Sequence, residues 1–441
     1  MAAPDLRDEV TELTRELIRI DTSNPPGRET PAAELLAAYL AKSGIQSELV
    51  GPDPERLNLV ARVPGGDAPS LLLVGHTDVV PAPPEPWSVP PFEGRVVDGS
   101  VIGRGAADMK GELAARAVAL ARIARGDSPP PGDVTLIAQA DEERNLSDVG
   151  MSWLVRERPE LLGEYALDEG GGWLLELADG RRVVTISVGE KLLTSLRIRV
   201  FGRAGHASVA SGRENAVRRA ATAVERLFSQ PPPPQHPPAV ELALERLRAP
   251  GEASAERIAW ACEQHPSLAE MLPAMTRMTV TPTGLRTFEP VNVIPPYADV
   301  ICDCRALPGQ GEDDLREHID SVIGGAFPYE VELLEPITGG SESPVDTPLY
   351  RACEEFVAGR LPGAELLPLV TPGFSDSYWL RVAGEVAAYG FAPVFWTDSD
   401  VYRAGPHGPD ESLAVADLVE MTESSLHAIA ALGERADAAA G

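Results

Sequence analysis

Two neighbouring motifs place the strongest constraint on the fold of this chain. Four apolar residues, Leu71–Val74, predict a short buried strand, and His76 and Asp78 follow where that strand ends. A glycine-rich loop, Gly103–Gly111, then carries Asp108 into a predicted helix. A lone histidine or aspartate after a strand more commonly caps a turn. Because zinc binds imidazole nitrogen and carboxylate oxygen, the two motifs together favour a metal site at strand ends.

The length and the charge of the chain limit the classes of protein to which it can belong. Its 441 residues exceed the size at which one hydrophobic core stops growing, which predicts two domains. The formal net charge of −29 disfavours nucleic acid and membrane surfaces as partners, since both attract clusters of Lys and Arg. This acidity is most simply a solubility feature, although it could steer cationic substrates. Because the sequence has no apolar run of membrane-spanning length and no signal-peptide pattern at Met1–Asp5, a soluble, cytoplasmic protein is expected.

The order of the predicted elements indicates a domain inserted into another. Strands and helices alternate up to residue 187, as they do in an α/β layer architecture. From Val188 the pattern changes to half-buried alternating strands such as Lys191–Phe201, with helices segregated from them, which predicts a smaller α+β domain. The first pattern then returns and ends in a helix predicted from Ser412. The predicted domains are an α/β domain whose first part is 1–187, an inserted domain at 188–336, and the second part of the α/β domain at 337–441.

Two further predicted strands in the first region also end in acidic residues. Asp133–Ala140 is followed by Asp141-Glu142-Glu143, and Tyr165–Leu167 is followed by Asp168-Glu169. Neighbouring carboxylates raise each other's pKa, so a positive charge is expected among them. A solvated surface turn would explain either acidic group alone. Ligands of open α/β sheets bind at the carboxyl ends of the strands, so the combined strand ends favour a metal.

The histidines of the chain fall into two sets. The chain has seven, of which three lie in glycine-containing loops: His76, His206 and His407. The others lie in a proline-rich segment, beside a proline or on predicted helices, and are expected to be solvated or locally packed: His236, His265, His318 and His427. A lone loop histidine usually has no function, so the first three are candidates only together with the acidic strand ends.

Eight short motifs resemble those of the M20 family of metallopeptidases and amidohydrolases, which includes aminoacylases, carboxypeptidases and desuccinylases. They occur in the family's order and extend over nearly the whole chain. The matching motifs are Gly75–Pro81, Gly103–Gly111, Asp141–Glu143, Asp168–Gly170, Gly205–Ser208, Asn292–Pro295, Asp303–Arg305 and His407–Glu411.

The resemblance implies a zinc-exopeptidase-like α/β catalytic domain with an inserted α+β lid and dimerisation domain. It also implies two zinc ions per chain, with Co²⁺ or Mn²⁺ as alternatives, and a homodimer formed through the inserted domain. In the family's pattern Asp108 bridges the two metals. His76 and Glu169 complete one site, and Glu143 and His407 complete the other. The family commonly has a cis peptide bond after the bridging aspartate.

The resemblance further implies three residues that act on the reaction without binding metal. Glu142 matches the general base, which takes a proton from water and returns it to the leaving nitrogen. Asp78 matches a carboxylate that accepts a hydrogen bond from the second ring nitrogen of His76 and fixes its tautomer. His206 matches a lid histidine that reaches the partner subunit's active site and stabilises the oxyanion.

Substrate recognition is where the sequence departs from the family. Asn292 and Arg305 match substrate contacts in several members, although Arg305 could equally form a salt bridge at the end of a strand. The arginine that often binds a substrate carboxylate in the family is replaced here by Tyr378, and Arg381 and Arg305 are the candidates to take over its role. Asp410 stands where the last motif usually has asparagine.

The sequence therefore predicts a dimeric dizinc hydrolase that cleaves the amide bond of a small peptide or an N-acyl amino acid. One alternative is a dipeptidase-like exopeptidase rather than a deacylase. Another is a catalytically silent metal-binding or scaffold protein that keeps the fold. The presence of Glu142 beside all five candidate metal ligands argues against the silent protein, because such a protein would be free to lose its base.

Overall fold

The computed structural model describes residues 5–209, 214–287 and 290–440, and these form two compact units. The first unit contains the described residues up to Val188, the segment Ser343–Leu369 and the described residues from Ser375 onward. The second contains Gly189–Glu342 and the short segment Val370–Phe374. The insert was predicted at 188–336, whereas the second unit extends to Glu342 and also includes Val370–Phe374. No helix of the described ranges is long and apolar enough to cross a membrane.

The first unit begins with alternating helices and strands, as the sequence predicts. Its elements up to the second unit are α1 (Leu6–Ile18), α2 (Thr30–Ala41), β1 (Ser47–Val50), β2 (Asn58–Val63), β3 (Ala68–His76), β4 (Arg95–Val97), β5 (Ser100–Ile102), α3 (Lys110–Ala124), β6 (Gly132–Gln139), α4 (Met151–Glu157), β7 (Tyr165–Asp168), β8 (Leu174–Glu176) and β9 (Arg182–Glu190).

The second unit holds strands and helices in an α+β order. Its elements are β10 (Leu192–Phe201), β11 (Gly205–His206), α5 (Ala216–Ser229), α6 (Pro238–Arg246), α7 (Ser254–Gln264), α8 (Pro266–Met275), β12 (Thr279–Arg286), β13 (Val293–Ile294), β14 (Tyr297–Ala306), α9 (Glu312–Ile323) and β15 (Tyr329–Leu333). The chain then forms α10 (Pro348–Arg360), β16 (Glu365–Thr371), α11 (Ser377–Gly384), β17 (Ala387–Gly390), α12 (Ser399–Ala404), β18 (Ser412–Ala414) and α13 (Val415–Ala440).

A large mixed sheet forms the centre of the first unit. Its strand order is β1-β2-β6-β3-β7-β17-β9-β16, with β8 paired to β9. Strands β6, β3, β7 and β17 run parallel to one another, whereas β1, β2 and β9 are antiparallel to their neighbours. The carboxyl ends of the four parallel strands therefore lie at one edge of the sheet, and the loops that follow them share that edge.

Helices cover both faces of this sheet. On one side, α3 packs against β3 and lies among α1 and α13. Its alanine-rich sequence suits that place, because residues on all sides of this helix are buried. On the other side, strand residues such as Leu72 and Ile137 pack with Leu154 of α4 and Leu380 of α11. The two apolar faces of the sheet explain the nearly continuous apolar run in β3.

The second unit is an antiparallel sheet covered by helices. Its strand order is β12-β14-β10-β15. Along β10 buried and half-buried residues alternate strictly, as the sequence predicts for a sheet with one covered face. Helices α5 and α9 provide that cover, with Ala220 and Ile319 buried in the same core as Ile198 and Val300.

One predicted helix boundary was wrong, and the sequence did not specify several other elements. The helix predicted from Ser412 begins at Val415, because Ser412–Ala414 pairs with β5 as the strand β18. Residues 241–272 are divided among the three helices α6, α7 and α8, with interruptions near Pro250-Gly251 and at Pro266. Helix α11 and strand β16 were not predicted, because each is short and lies beside a loop signal.

Candidate metal centre and active site

The parallel strands bring the predicted site residues to one edge of the first unit's sheet. His76 ends β3 and pairs in register with Gln139, the last residue of β6. Glu142 and Glu143 lie in the loop that follows β6, and Glu169 follows β7 directly. Each strand thus delivers a polar side chain at the edge where ligands of open α/β sheets bind.

Asp108 reaches this edge on the loop before α3. The peptide bond between Asp108 and Met109 is cis, as the resemblance implies. Met109 packs against the end of β3, and its Sδ lies 3.2 Å from the backbone nitrogen of His76. Glycines on either side of Met109 differ in how strictly they are needed, since a side chain at Gly75 would displace the flexible end of Met109, whereas one at Gly111 would clash with backbone. A Cβ at Gly75 would lie 2.9 Å from Met109 Cε, and one at Gly111 only 2.2 Å from the carbonyl oxygen of Ala106.

Five side chains form two groups that share Asp108. One group contains His76, Asp108 and Glu169, and the other contains Asp108, Glu143 and His407; in each, the nitrogen and oxygen atoms lie within 4.8 Å of one another. His76 Nε2 lies 3.0 Å from Asp108 Oδ1 and 3.7 Å from Glu169 Oε2. His407 Nε2 lies 3.3 Å from Asp108 Oδ2 and 3.0 Å from Glu143 Oε2. The two oxygens of Asp108 therefore face different histidines.

The electrostatics of the two groups fit divalent cations. Burial raises the pKa of Glu169 to about 7 and also raises the pKa of Glu143. Burial alone would raise the pKa of Asp108 too, but hydrogen bonds to His407 and His76 outweigh it and lower that pKa. Carboxylates and imidazoles in such proximity are the donor set that zinc prefers, and a cation would relieve their repulsion.

Glu142 lies beside the two groups and belongs to neither. Its Oε2 lies 3.9 Å from His76 Nε2, and its side chain is 11% exposed. Burial, followed by the charge of Glu169, raises its pKa well above the ordinary value. A carboxylate close to the candidate ligands, without belonging to a ligand group, has the position that a general base needs.

Asp78 contacts His76 through a different atom from the one expected. His76 Nδ1 lies 2.9 Å from the backbone carbonyl oxygen of Asp78 and 3.5 Å from its carboxylate Oδ1. The carboxylate instead accepts hydrogen bonds from the backbone nitrogens of Glu142 and Glu143, each at 3.2 Å. Asp78 therefore fixes both the ring of one candidate ligand and the backbone of the following loop.

A buried polar network behind this loop was not predicted. Asn24 Nδ2 donates to Asp78 Oδ2 at 2.9 Å and to Asp141 Oδ1 at 2.8 Å. Arg56 donates to the same Asp141 oxygen at 3.0 Å and pairs with Glu29. The sequence carries no local signal for these contacts, because Asn24, Glu29 and Arg56 lie in or beside predicted loops far from Asp141 in the chain.

Glu411 belongs to a matched motif for which the sequence suggested no role. It is fully buried, and its Oε1 accepts hydrogen bonds from the backbone nitrogens of Ala107 at 2.8 Å and Asp108 at 3.0 Å. Its other oxygen pairs with Arg104. Glu411 thus fixes the backbone from which the shared carboxylate projects.

Three predicted site residues lie in the second unit. His206 is exposed, and its Nδ1 accepts a hydrogen bond from the backbone nitrogen of Ser208 at 3.2 Å. The carbonyl oxygen of Asn292 accepts from the backbone nitrogen of Ala207 at 3.0 Å, so the loops that carry Asn292 and His206 are neighbours.

The two arginines considered for substrate carboxylate binding both have partners within their own units. Arg305 Nε and Nη2 contact the carboxylate of Asp303 at 3.1 and 3.2 Å. Arg381 is 9% exposed, and donates to Ser343 Oγ at 2.9 Å and to the carbonyl oxygen of Ala388 at 2.7 Å. Arg381 is therefore a structural residue, and the expectation that it might replace an arginine at Tyr378 is not supported.

The chain is similar to known proteins over most of its length. Residues 72–431 match the sequence model of Peptidase family M20/M25/M40. A succinyl-diaminopimelate desuccinylase of Rhodospirillum centenum is 27% identical over 431 residues, which cover 93% of this chain and 94% of that protein. A second succinyl-diaminopimelate desuccinylase, from Delftia acidovorans, is 35% identical over 229 residues that cover 49% of this chain and 56% of that protein.

A solved structure shares the fold. The M20 family metallo-carboxypeptidase Sso-CP2 from Sulfolobus solfataricus matches with a TM-score of 0.72 at 18% identity, over 97% of this chain and 100% of that chain. The predicted α/β fold class is thereby confirmed. Because the family's sequence model matches most of its length, this chain belongs to peptidase family M20/M25/M40 and is a metal-dependent hydrolase of amide or peptide bonds.

Proposed function

We propose that this protein is a two-metal, zinc-dependent hydrolase that removes an acyl group from an N-acyl amino acid, with Glu142 as its general base. The observation that carries the proposal is the arrangement of the five side chains: two groups share Asp108, and Glu142 lies beside them without belonging to either. A single-metal site would not need a second group of donors around the other oxygen of the same carboxylate.

In this proposal His76, Asp108 and Glu169 hold one ion, and Asp108, Glu143 and His407 hold the other. Three protein donors per ion leave room for a water molecule and the substrate. When bound, the two ions supply Lewis acidity, which lowers the pKa of water and polarises the carbonyl of the scissile amide. The protein contributes the fixed positions of the donors, above all through Asp78 and Glu411.

Glu142 carries the proton in this mechanism. Its carboxylate takes a proton from the attacking water as the water oxygen bonds to the amide carbonyl carbon. The same carboxyl group then gives that proton to the amide nitrogen as the carbon–nitrogen bond breaks. The immediate products are a carboxylic acid and an amine, and transfer of the acid proton to the amine gives a carboxylate and an ammonium ion, so atoms and charge balance without another reactant.

The relatives favour a deacylase over a peptidase. The relative that aligns over 93% of the chain is named a succinyl-diaminopimelate desuccinylase, and desuccinylation is hydrolysis of an N-acyl amide. A carboxypeptidase shares the fold at 18% identity, which supports the architecture without indicating its substrate. An exopeptidase acting on small peptides is the second candidate, since the same ions and the same base would cleave a peptide bond.

The inserted domain is proposed to contribute His206 to the active site of a partner subunit. We infer that the protein is a homodimer formed through this domain, and that His206 donates a hydrogen bond to the oxyanion in the partner's active site. The exposure of the His206 side chain supports this role, because a residue that reaches another subunit cannot be buried in its own. Size-exclusion chromatography with light scattering tests the dimer directly.

Metal analysis and a substrate panel test the central proposal together. The purified protein should contain close to two zinc ions per chain. It should hydrolyse N-succinyl or N-acetyl amino acids faster than dipeptides, and a chelator should abolish this activity. Two metals with cleavage of dipeptides alone would favour the exopeptidase. Two metals with no cleavage of either class would favour a silent metal-binding protein.

A further inference from the structure

His407 is the least constrained of the five candidate ligands. Its side chain is 56% exposed, whereas those of Asp108, Glu169, Glu143 and His76 are at most 20% exposed. Its backbone also has a φ of 63°, in the left-handed region that non-glycine residues rarely occupy. Its ring contacts the carboxylates of Asp108 and Glu143 but is more than half exposed, so its position depends on the backbone of its loop as well as on those two contacts.

Asp410 fixes that loop from outside. Its Oδ1 accepts hydrogen bonds from both the backbone nitrogen and the hydroxyl of Ser88, each at 2.8 Å. Ser88 lies in the proline-rich segment Pro81–Pro91, far from Asp410 in the sequence. Proline restricts the conformations of that segment, so it gives Asp410 a stiff anchor. The residue that departs from the family's usual asparagine thus makes a defined long-range contact.

The same proline-rich segment also contacts the loop that carries Asp108. The guanidinium of Arg104 lies 5.3 Å from the ring centre of Trp87, and the backbone nitrogen of Arg104 donates to the carbonyl oxygen of Pro91 at 2.8 Å. Arg104 in turn pairs with Glu411, which holds the backbone nitrogen of Asp108. Asp410 and Glu411 are consecutive, yet Asp410 binds the proline-rich segment whereas Glu411 binds the loop that carries Asp108.

We infer that Asp410 is a positioning residue for His407, and that its contact with Ser88 sets the affinity of the Asp108–Glu143–His407 group for metal. This inference rests on the proposed function, because it assumes that the group binds a metal. Its specific consequence is asymmetry. Loss of the contact releases the loop that carries His407, but leaves His76 and Glu169, which lie at strand ends, in place. One of the two metal-binding steps should weaken while the other is retained.

Substitutions at Asp410 distinguish the effect of losing the hydrogen bonds to Ser88 from the effect of backbone strain. Asp410 has a φ of 55°, which glycine adopts without cost, so Asp410→Gly removes the acceptor without adding strain. Asp410→Asn keeps an oxygen that can accept from both donors of Ser88 and serves as the rescue variant. Ser88→Ala removes one of the two donors. Glu93→Gln is the matched control, because it breaks the exposed Glu93–Arg95 pair, which does not involve the loop of His407.

The experiment is a zinc titration of each metal-free protein in competition with a chromophoric chelator. We expect Asp410→Gly to weaken one binding step about tenfold, the low end of the effect of residues that orient metal ligands, and to leave the other step unchanged. Ser88→Ala should weaken the same step less, and Asp410→Asn and Glu93→Gln should match the wild type. Thermal unfolding of the metal-free variants should coincide, because a general loss of stability would not select one step.

Three results would overturn the inference. One is wild-type affinity at both steps in Asp410→Gly, and another is equal weakening of both steps together with a lower unfolding temperature. A third is an Asp410→Asn variant that binds zinc as weakly as Asp410→Gly at the affected step. A wild-type protein that binds no zinc would remove the proposed function as well, so the two failures can be told apart.

Discussion

Replacement of Arg56 by methionine should destabilise the first unit strongly, although Arg56 is not a candidate ligand. Its side chain is only 7% exposed and lies between two acids, Glu29 and Asp141, whose side chains are 0% and 3% exposed. Methionine fills much of the same volume but leaves both acids without a cation. Breaking a buried ion pair by removing one partner typically costs about 3–5 kcal/mol of unfolding free energy.

Most of this loss of unfolding free energy should come from Glu29 rather than from Asp141. Asp141 retains the amide of Asn24 and the backbone nitrogens of Leu146 at 3.1 Å and Ser147 at 2.6 Å. Burial already raises the pKa of Glu29, and the hydrogen bond from Arg56 is the main effect that opposes this rise. Without Arg56, Glu29 should be protonated in the folded protein at a pH where the unfolded chain is ionised.

The pH dependence of the loss follows from that protonation. A carboxyl group with a raised folded pKa binds a proton that the unfolded chain releases, so stability falls as the pH rises above the unfolded pKa. The difference between Arg56→Met and the wild type should therefore grow between about pH 5 and pH 8, by at most about 1.4 kcal/mol per pH unit. At low pH the variant should approach the wild type.

Urea unfolding monitored by tryptophan fluorescence provides the measurement, since every tryptophan except Trp260 lies in the first unit. Arg62→Met is the matched control, because Arg62 is 56% exposed in its pair with Asp133 and should cost about 0–1 kcal/mol. Adding Glu29→Gln to Arg56→Met should recover part of the loss and remove most of its pH dependence. The reasoning would be refuted if Arg56→Met lowered the unfolding free energy by no more than Arg62→Met does. It would also be refuted if the decrease caused by Arg56→Met did not depend on pH.

Three further predictions concern the proposed chemistry. Glu142→Gln should lower kcat by about 10²–10⁴-fold with zinc content unchanged, because it removes proton transfer but no ligand; loss of zinc in this variant would make Glu142 a ligand instead. His206→Ala should lower kcat by about 10²–10³-fold with unchanged zinc content, and an unaffected kcat would exclude an oxyanion contact. Chelation should lower the unfolding temperature and added zinc should restore it, since a ligand bound only by the folded state stabilises that state; calorimetry with and without chelator measures this shift, and equal unfolding temperatures would argue against metal binding.

The sequence was informative where the structure depends on local pattern. The strand that ends at His76 and the α/β alternation could be predicted, because an apolar run between turn residues has few other solutions in a chain of this size. Parallel pairing then brings successive strand ends to one edge, which is why His76 and Glu169 come close although they are far apart in sequence. The strict alternation of Leu192–Phe201 likewise predicted a sheet with one covered face.

Contacts between distant loops could not be predicted in the same way. Arg56 and Glu29 have no periodic neighbours from which their burial could be recognised, and Asp141 looked like one of three equivalent acids. The structure distinguishes it from Glu142 and Glu143, because Asp141 has a φ of 65° and is turned toward Asn24 and Arg56. Which of three adjacent carboxylates faces the site depends on the backbone conformation of the loop, which residue types alone do not specify.

Asp78 connects several residues of the candidate site through its own contacts. Its carbonyl oxygen contacts the ring of His76, and its carboxylate accepts from the backbone nitrogens of Glu142 and Glu143. One residue therefore sets the position of a candidate ligand from each group and of the proposed base. Interactions that share a partner are not additive, so the effect of changing Asp78 cannot be divided into a tautomer effect and a loop effect. The carbonyl contact remains when the side chain is replaced. A substitution at Asp78 therefore tests the support of the Glu142–Glu143 loop far more than it tests the orientation of His76.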